Sequence, residues 1–125
     1  MDKDYLKLLD DLKSEIINVQ NDIVLSANAK LIKLYYKIGQ TINDNSKFGN
    51  KFVDNLASDL KLAFPNIKGF SRRNLYYMKK LNEVYDETFV NEIITKICWT
   101  NNQILLNKVQ DVEIRKWYAV QESSK

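Results

Sequence analysis

Six cationic side chains, Lys61, Lys68, Arg72, Arg73, Lys79 and Lys80, fall within the stretch KLAFPNIKGFSRRNLYYMKK, which holds no Asp or Glu. The flanks are close to balance: residues 1–50 carry seven basic and seven acidic residues, residues 81–125 five and seven, and the whole chain nets +3. The positive character is therefore local. It follows a break made by Pro65 and Gly69 and a Ser71 whose hydroxyl can cap a new helix. A basic helix start after a tight turn puts free amides and cations side by side, which suits a polyanion such as nucleic acid.

The remaining residue types exclude most other chemistries. The chain has no His and one Cys, Cys98. A Ser-His-Asp or Cys-His group is impossible, as are an intrachain disulfide and a typical multi-ligand zinc site. Cys98 beside Trp99, in IITKICW, reads as buried core. Asp10, Asp11 and Glu15 have helical spacing, but they lie on a helix charged along its outer side and read as a solvated face. Asp54 and Asp59, five residues apart, do not share a face well. No acidic pair followed by Glu-x-Lys on a strand is present. The expectation is no catalytic residue, no metal ligand and no cofactor, and a chain that is not an enzyme on its own.

The elements that would position the basic stretch are helical. With 125 residues, 45% apolar, 28% charged, three Gly and one Pro, the chain has the profile of a single all-α domain spanning residues 1–125. Leu9, Leu12, Ile16, Val19, Ile23, Ala27, Leu31, Tyr35 and Ile42 recur at three- and four-residue intervals, which predicts a long N-terminal helix from Tyr5 to about Ile42. Such a helix is wider than a small domain. It is expected either to kink near Ser26–Asn28 and pack internally, the favoured reading, or to offer its seam to a partner chain, giving a homodimer. Asn43 to Asn50 reads as a loop. Phe52–Phe64 returns to helical spacing. Later helices are expected from a Thr88 cap (Phe89 to about Ile97), from Thr100 to Leu106, and after an Asp111 cap. Trp99, Trp117 and Tyr118 are expected to pack the C-terminal core.

Residues 52–85 then read as a helix-turn-helix-like unit. At 100° per residue from Arg72, Tyr76 lies at about 40°, Lys80 at about 80°, Arg73 at about 100° and Lys79 at about 340°. Leu75, Met78, Leu81 and Tyr85 fall between about 180° and 300° and form the packing face. Recognition helices of this class read base edges with their first turns and neutralise phosphates nearby. Arg72 and Arg73 would reach the groove, with Lys68, Lys79 and Lys80 on phosphates. Ser71 would hold a further phosphate at the helix start, and Tyr76 would stack or touch the backbone. Tyr77 reads as a core flank. A merely solvated basic face is the competing reading.

Four segments resemble the N-terminal domain of YhcG-type proteins, bacterial members of the PDDEXK nuclease superfamily. They are LIKLYYKIG (31–39), FGNKFVDNLASDLKLAFP (48–65), GFSRRNLYYMKKL (69–81) and ICWTNNQILLNKVQDVEIRKWY (97–118). The third is the closest match. Departures occur at Asn101, where many relatives have His, and at Cys98, where they have Ser. Family members usually continue into a nuclease domain, and no counterpart of that domain is expected in this chain. The resemblance implies a non-catalytic, DNA-contacting helical module that binds double-stranded DNA and works with a separate nuclease subunit. A protein-interaction or dimerisation module, or a truncated remnant without activity, is the alternative. No run is apolar enough to span a membrane, and the charged start lacks a signal-peptide core, so a cytoplasmic location is expected.

Overall fold

The long N-terminal helix is continuous. In the computed structural model, which describes residues 3–125, helix α1 runs from Lys3 to Asp44, about 60 Å at 1.5 Å per residue. The expected kink near Ser26–Asn28 does not occur. No Pro or Gly precedes Gly39, and sharp kinks need such a breaker or an inserted group.

Only the second part of α1 is packed. Ile32, Tyr35, Gly39 and Ile42 are buried, whereas Leu12, Ile16, Val19 and Ile23 are exposed. Residues 3–27 thus form an arm, and the body begins at Asn28. The expected Asn43–Asn50 loop is largely helical too. A short 3-10 turn, Ser46–Phe48, leads directly into α2, Gly49–Ala63. Helix α3 is Arg72–Val84, α4 Glu87–Glu92, α5 Trp99–Lys108 and α6 Val112–Ser123, with a second 3-10 turn at Ile94–Lys96. The described residues contain no strand, so the fold is all-α.

Helix α3 is the central beam. Its inner residues Leu75, Met78 and Leu81 are fully buried. Leu75 and Met78 join Tyr35, Ile42, Val53, Ala57 and Phe70 in one core cluster. Leu81 joins Ile32, Tyr85, Val90, Ile94, Ile97, Leu106 and Ala119 in the other. Trp99 packs against both clusters, with its ring centroid 4.8 Å from Tyr35 and 6.5 Å from Tyr77. The packing face predicted for α3 is the observed one.

Two glycines set the position of α3. A Cβ on Gly39 would lie 2.0 Å from the Met78 carbonyl oxygen, so α1 and α3 approach backbone to backbone only because that position is bare. Gly69 has φ 125°, and a Cβ there would meet the Tyr35 hydroxyl at 2.6 Å. Polar tethers lock the same contact. Asn43 Nδ2 donates to the Lys79 carbonyl and to Asn82 Oδ1, and the Tyr36 hydroxyl donates to the Tyr85 carbonyl.

The C-terminal elements depart from expectation in detail. Asp86, not Thr88, caps α4: α3 ends at Val84, Tyr85 is extended, and the Asp86 carboxylate accepts from the Phe89 amide at 2.7 Å. The helix then stops at Glu92 rather than Ile97. Helix α5 starts at Trp99 with Cys98 as its N-cap residue. That surface position leaves Cys98 exposed rather than buried. Asp111 caps α6 as predicted. Trp117 and Tyr118 are half-exposed and touch each other edge to face, because α6 turns Arg115 and Ala119 inward instead. Arg115 holds the end of α5 by donating to the Val109 and Gln110 carbonyls.

Candidate nucleic-acid interface

Ser71 begins the site as the sequence predicts. Its backbone is extended and its hydroxyl accepts from the Asn74 amide at 3.2 Å. That oxygen caps the helix, so Ser71 serves as the start of α3. The connection from α2 is not a tight turn: it comprises residues 64–71, against about three to four residues in a helix-turn-helix. Helices α2 and α3 pack together nonetheless, through Val53, Ala57, Leu75 and Met78.

The outer surface of α3 divides into two edges with different electrostatics. On the first, Arg72 Nε lies 2.8 Å from Asp54 Oδ1 of α2, the side chains 58% and 50% exposed, and Lys79 pairs with Glu83. Two of the cations expected to contact DNA, Arg72 and Lys79, are thus each paired with a carboxylate. Both sit at the rim facing carboxylates, one on α2 and one a turn further along α3. An ion pair as exposed as Arg72–Asp54 contributes about 0–1 kcal/mol, but it sets a charge of opposite sign against Arg72.

The second edge carries no carboxylate. Arg73, Tyr76, Tyr77 and Lys80 line a shallow groove of about 260 Å³. The Arg73 guanidinium stacks over Tyr77 at 5.7 Å and the Arg72 guanidinium over Tyr76 at 5.6 Å, each an Arg–Tyr pair one turn apart. The Tyr76 hydroxyl donates to Asn50 Oδ1 at 2.7 Å, and Tyr77 bonds Asn107 of α5. Arg73 foremost, and then Asn107, hold the Tyr77 phenol below its usual pKa. Lys80 Nζ donates to the Leu106 carbonyl at 2.8 Å, which uses one of the three ammonium donors. Both rings are therefore fixed in place by partners on α2 and α5, with cations beside them.

Lys68 is exposed in the loop before Ser71. The structure therefore brings Arg73, Tyr76 and Lys80 to one groove, sets Arg72 at its rim over the Tyr76 ring but paired with Asp54, pairs Lys79 with Glu83, and leaves Lys68 and Ser71 outside the groove lining. Tyr77 flanks the core, as the sequence suggested, and lines the groove as well. Its position at about 140° from Arg72 on the helical wheel, near Arg73, was the available signal. Asn50 and Asn107 lie far away in sequence and gave none.

Two other regions carry less. A groove of about 420 Å³ between α1 and α4 is lined by Lys33, Tyr36, Lys37, Gln40, Glu87, Val90 and Asn91, and Glu87 offsets its lysines. Asp10, Asp11 and Glu15 are exposed along the arm. Among the described residues no group of three His, Cys, Asp or Glu could hold a metal ion, and no helix is long and apolar enough to cross a membrane.

A six-helix fold with a cation- and tyrosine-lined edge on its central helix defines a small all-α module built to present one surface. Residues 11–125 match the DUF1016 N-terminal domain family, and the chain belongs to it. No curated protein and no solved structure matches the chain.

Proposed function

We propose that this domain binds double-stranded DNA through the Arg73–Lys80 edge of α3 and thereby positions a nuclease domain supplied elsewhere, in keeping with the resemblance to YhcG-type nucleases. On this reading the chain is a non-catalytic, cytoplasmic accessory module that needs no cofactor of its own. The observation that carries it is the groove lining: two cations and two tyrosines, with no carboxylate. Guanidinium and ammonium groups neutralise phosphates, and ordered aromatic rings at their side can lie against sugar or base. Arg72 and Lys79, held by Asp54 and Glu83, play a lesser part.

With phosphate contacts from Lys68, Arg73 and Lys80, log affinity should fall against log salt with a slope of about −2 to −3. Fluorescence anisotropy of a labelled duplex at several salt concentrations tests this. Arg73→Ala is expected to weaken binding at low salt and to flatten the slope by about one. Unchanged affinity and slope in that variant reject the assignment. Single-stranded DNA and RNA of matched sequence in the same titration distinguish the duplex from other polyanions.

A further inference from the structure

We propose that the arm, residues 3–27 of α1, pairs with the same segment of a second copy of this chain as a parallel two-stranded coiled coil. The arm is a helix without a support in its own body. Its seam residues Leu12, Ile16, Val19 and Ile23 are between 54% and 64% exposed. Its sequence is also a poor helix former in isolation, since Ile16, Ile17, Val19, Ile23 and Val24 are β-branched. Helices of this kind draw their stability from a packed apolar face rather than from propensity.

The pattern of that face identifies the occupant. Leu9, Leu12, Ile16, Val19 and Ile23 alternate at spacings of three and four, a heptad with Leu9, Ile16 and Ile23 at position a and Leu12 and Val19 at d. Tyr5 extends the d series by one step. β-Branched residues at a with Leu at d favour two parallel strands; Ile16, Ile23 and Leu12 follow that rule, while Leu9 at a and Val19 at d depart from it. Charge supports the same orientation. Glu15 and Asp22 occupy position g, Lys13 and Gln20 position e. In a parallel pair Glu15 faces Gln20 of the other copy, whereas an antiparallel pair would set Glu15 against Asp22 with like charge.

The body does not obstruct this pairing. At 100° per residue the seam spans roughly 320° to 40° from Tyr5, while the body-facing Ile32, Tyr35, Gly39 and Ile42 lie at roughly 100° to 180°. The body therefore stands to the side of the seam, where it neither covers the arm nor blocks a second one. Ile17 and Val24, at position b, lie at roughly 100° to 120°, outside the seam and on the side towards which the body stands.

Sedimentation equilibrium of the full chain across a wide concentration range provides the test. The wild type is expected to rise from 14.7 kDa to about twice that mass. Ile16→Asp, at position a, should stay monomeric with the thermal midpoint of the body retained, while Ile17→Asp, at position b, should still dimerise. A wild type that remains monomeric throughout overturns the proposal, as does Ile17→Asp dissociating as completely as Ile16→Asp. Orientation is read separately. In a Cys98→Ser background, Leu12→Cys should form a disulfide-linked dimer on mild oxidation, and failure to cross-link where the dimer is populated rejects the parallel register. None of these results depends on whether α3 binds DNA.

Discussion

The two halves of α1 make an instructive pair. Residues 3–27 and 28–44 belong to one uninterrupted helix and both carry apolar residues at helical spacing, yet one half is bare and the other is buried. What separates them is the means of close approach. The second half has Gly39 against the Met78 carbonyl, Tyr36 and Asn43 donating across to α3, and Asn28 donating to the Thr95 and Ile97 carbonyls. In the arm, Leu12, Ile16, Val19 and Ile23 stay exposed instead. Periodicity marks a face as able to pack, and small residues with directed hydrogen bonds decide against what.

Core truncation should break the symmetry between the halves most strongly. Leu81→Ala, in a side chain with no exposure, is expected to cost roughly 2–5 kcal/mol of unfolding free energy. Leu12→Ala in the arm should change the stability of the monomeric body by less than about 0.5 kcal/mol. Urea denaturation monitored by tryptophan fluorescence compares them, because Trp99 touches both core clusters. A similar cost for the two variants would mean that the arm is part of the body after all.

Next in size is Gly39→Ala. Its methyl would overlap the Met78 carbonyl, so α1 and α3 must separate, at an expected cost of about 1–3 kcal/mol. Ser26→Ala, an exposed helix position in the arm, should be neutral or slightly stabilising by helix propensity. Thermal midpoints of the pair give the contrast directly.

A subtler effect concerns pH. Burial pushes the Tyr85 phenol from 10.0 up to about 12 against a smaller opposing pull from Arg115, and burial raises Tyr35 and Tyr36 as well. Ionisation is then harder in the folded state. The associated stability is complete below pH 10 and is lost as pH climbs towards 12, on the order of 2 kcal/mol for Tyr85. Half-buried Tyr77 is shifted in the opposite sense, chiefly by Arg73. The Tyr85 hydroxyl is buried without a hydrogen-bond partner among the described residues. Tyr85→Phe should therefore hold or raise stability near neutrality by up to about 1 kcal/mol and flatten the alkaline decline. A variant that unfolds with the same alkaline profile as wild type would assign that profile to other groups.

How much of this was legible in the sequence follows from the same contrast. Features written locally came through: the all-α class, the length of α1, the Ser71 and Asp111 caps, and the buried face of α3. Features that depend on a partner distant in the chain did not. Nothing near Arg72 announces Asp54, which reaches it from α2, nor does Tyr77 reveal Asn107. Cys98 looked apolar by its neighbours Ile97 and Trp99, but the backbone makes it a cap at the surface. Trp117 and Tyr118 looked like core by size, yet α6 buries Arg115 and Ala119 because that side meets the end of α5. The kink favoured in α1 rested on the helix being longer than a small domain is wide, a length that the structure accommodates as an arm running beyond the body.

The division of α3 into a carboxylate-paired edge and a free edge carries the functional reading, and Asp54→Asn addresses it most directly. Removing that carboxylate releases Arg72 at the groove's rim and leaves the four lining residues unchanged. In a duplex-DNA salt titration the account predicts tighter binding at low salt than wild type and a slope steeper by about one phosphate contact. Affinity and slope indistinguishable from wild type, or an absence of duplex binding in both proteins, would contradict it.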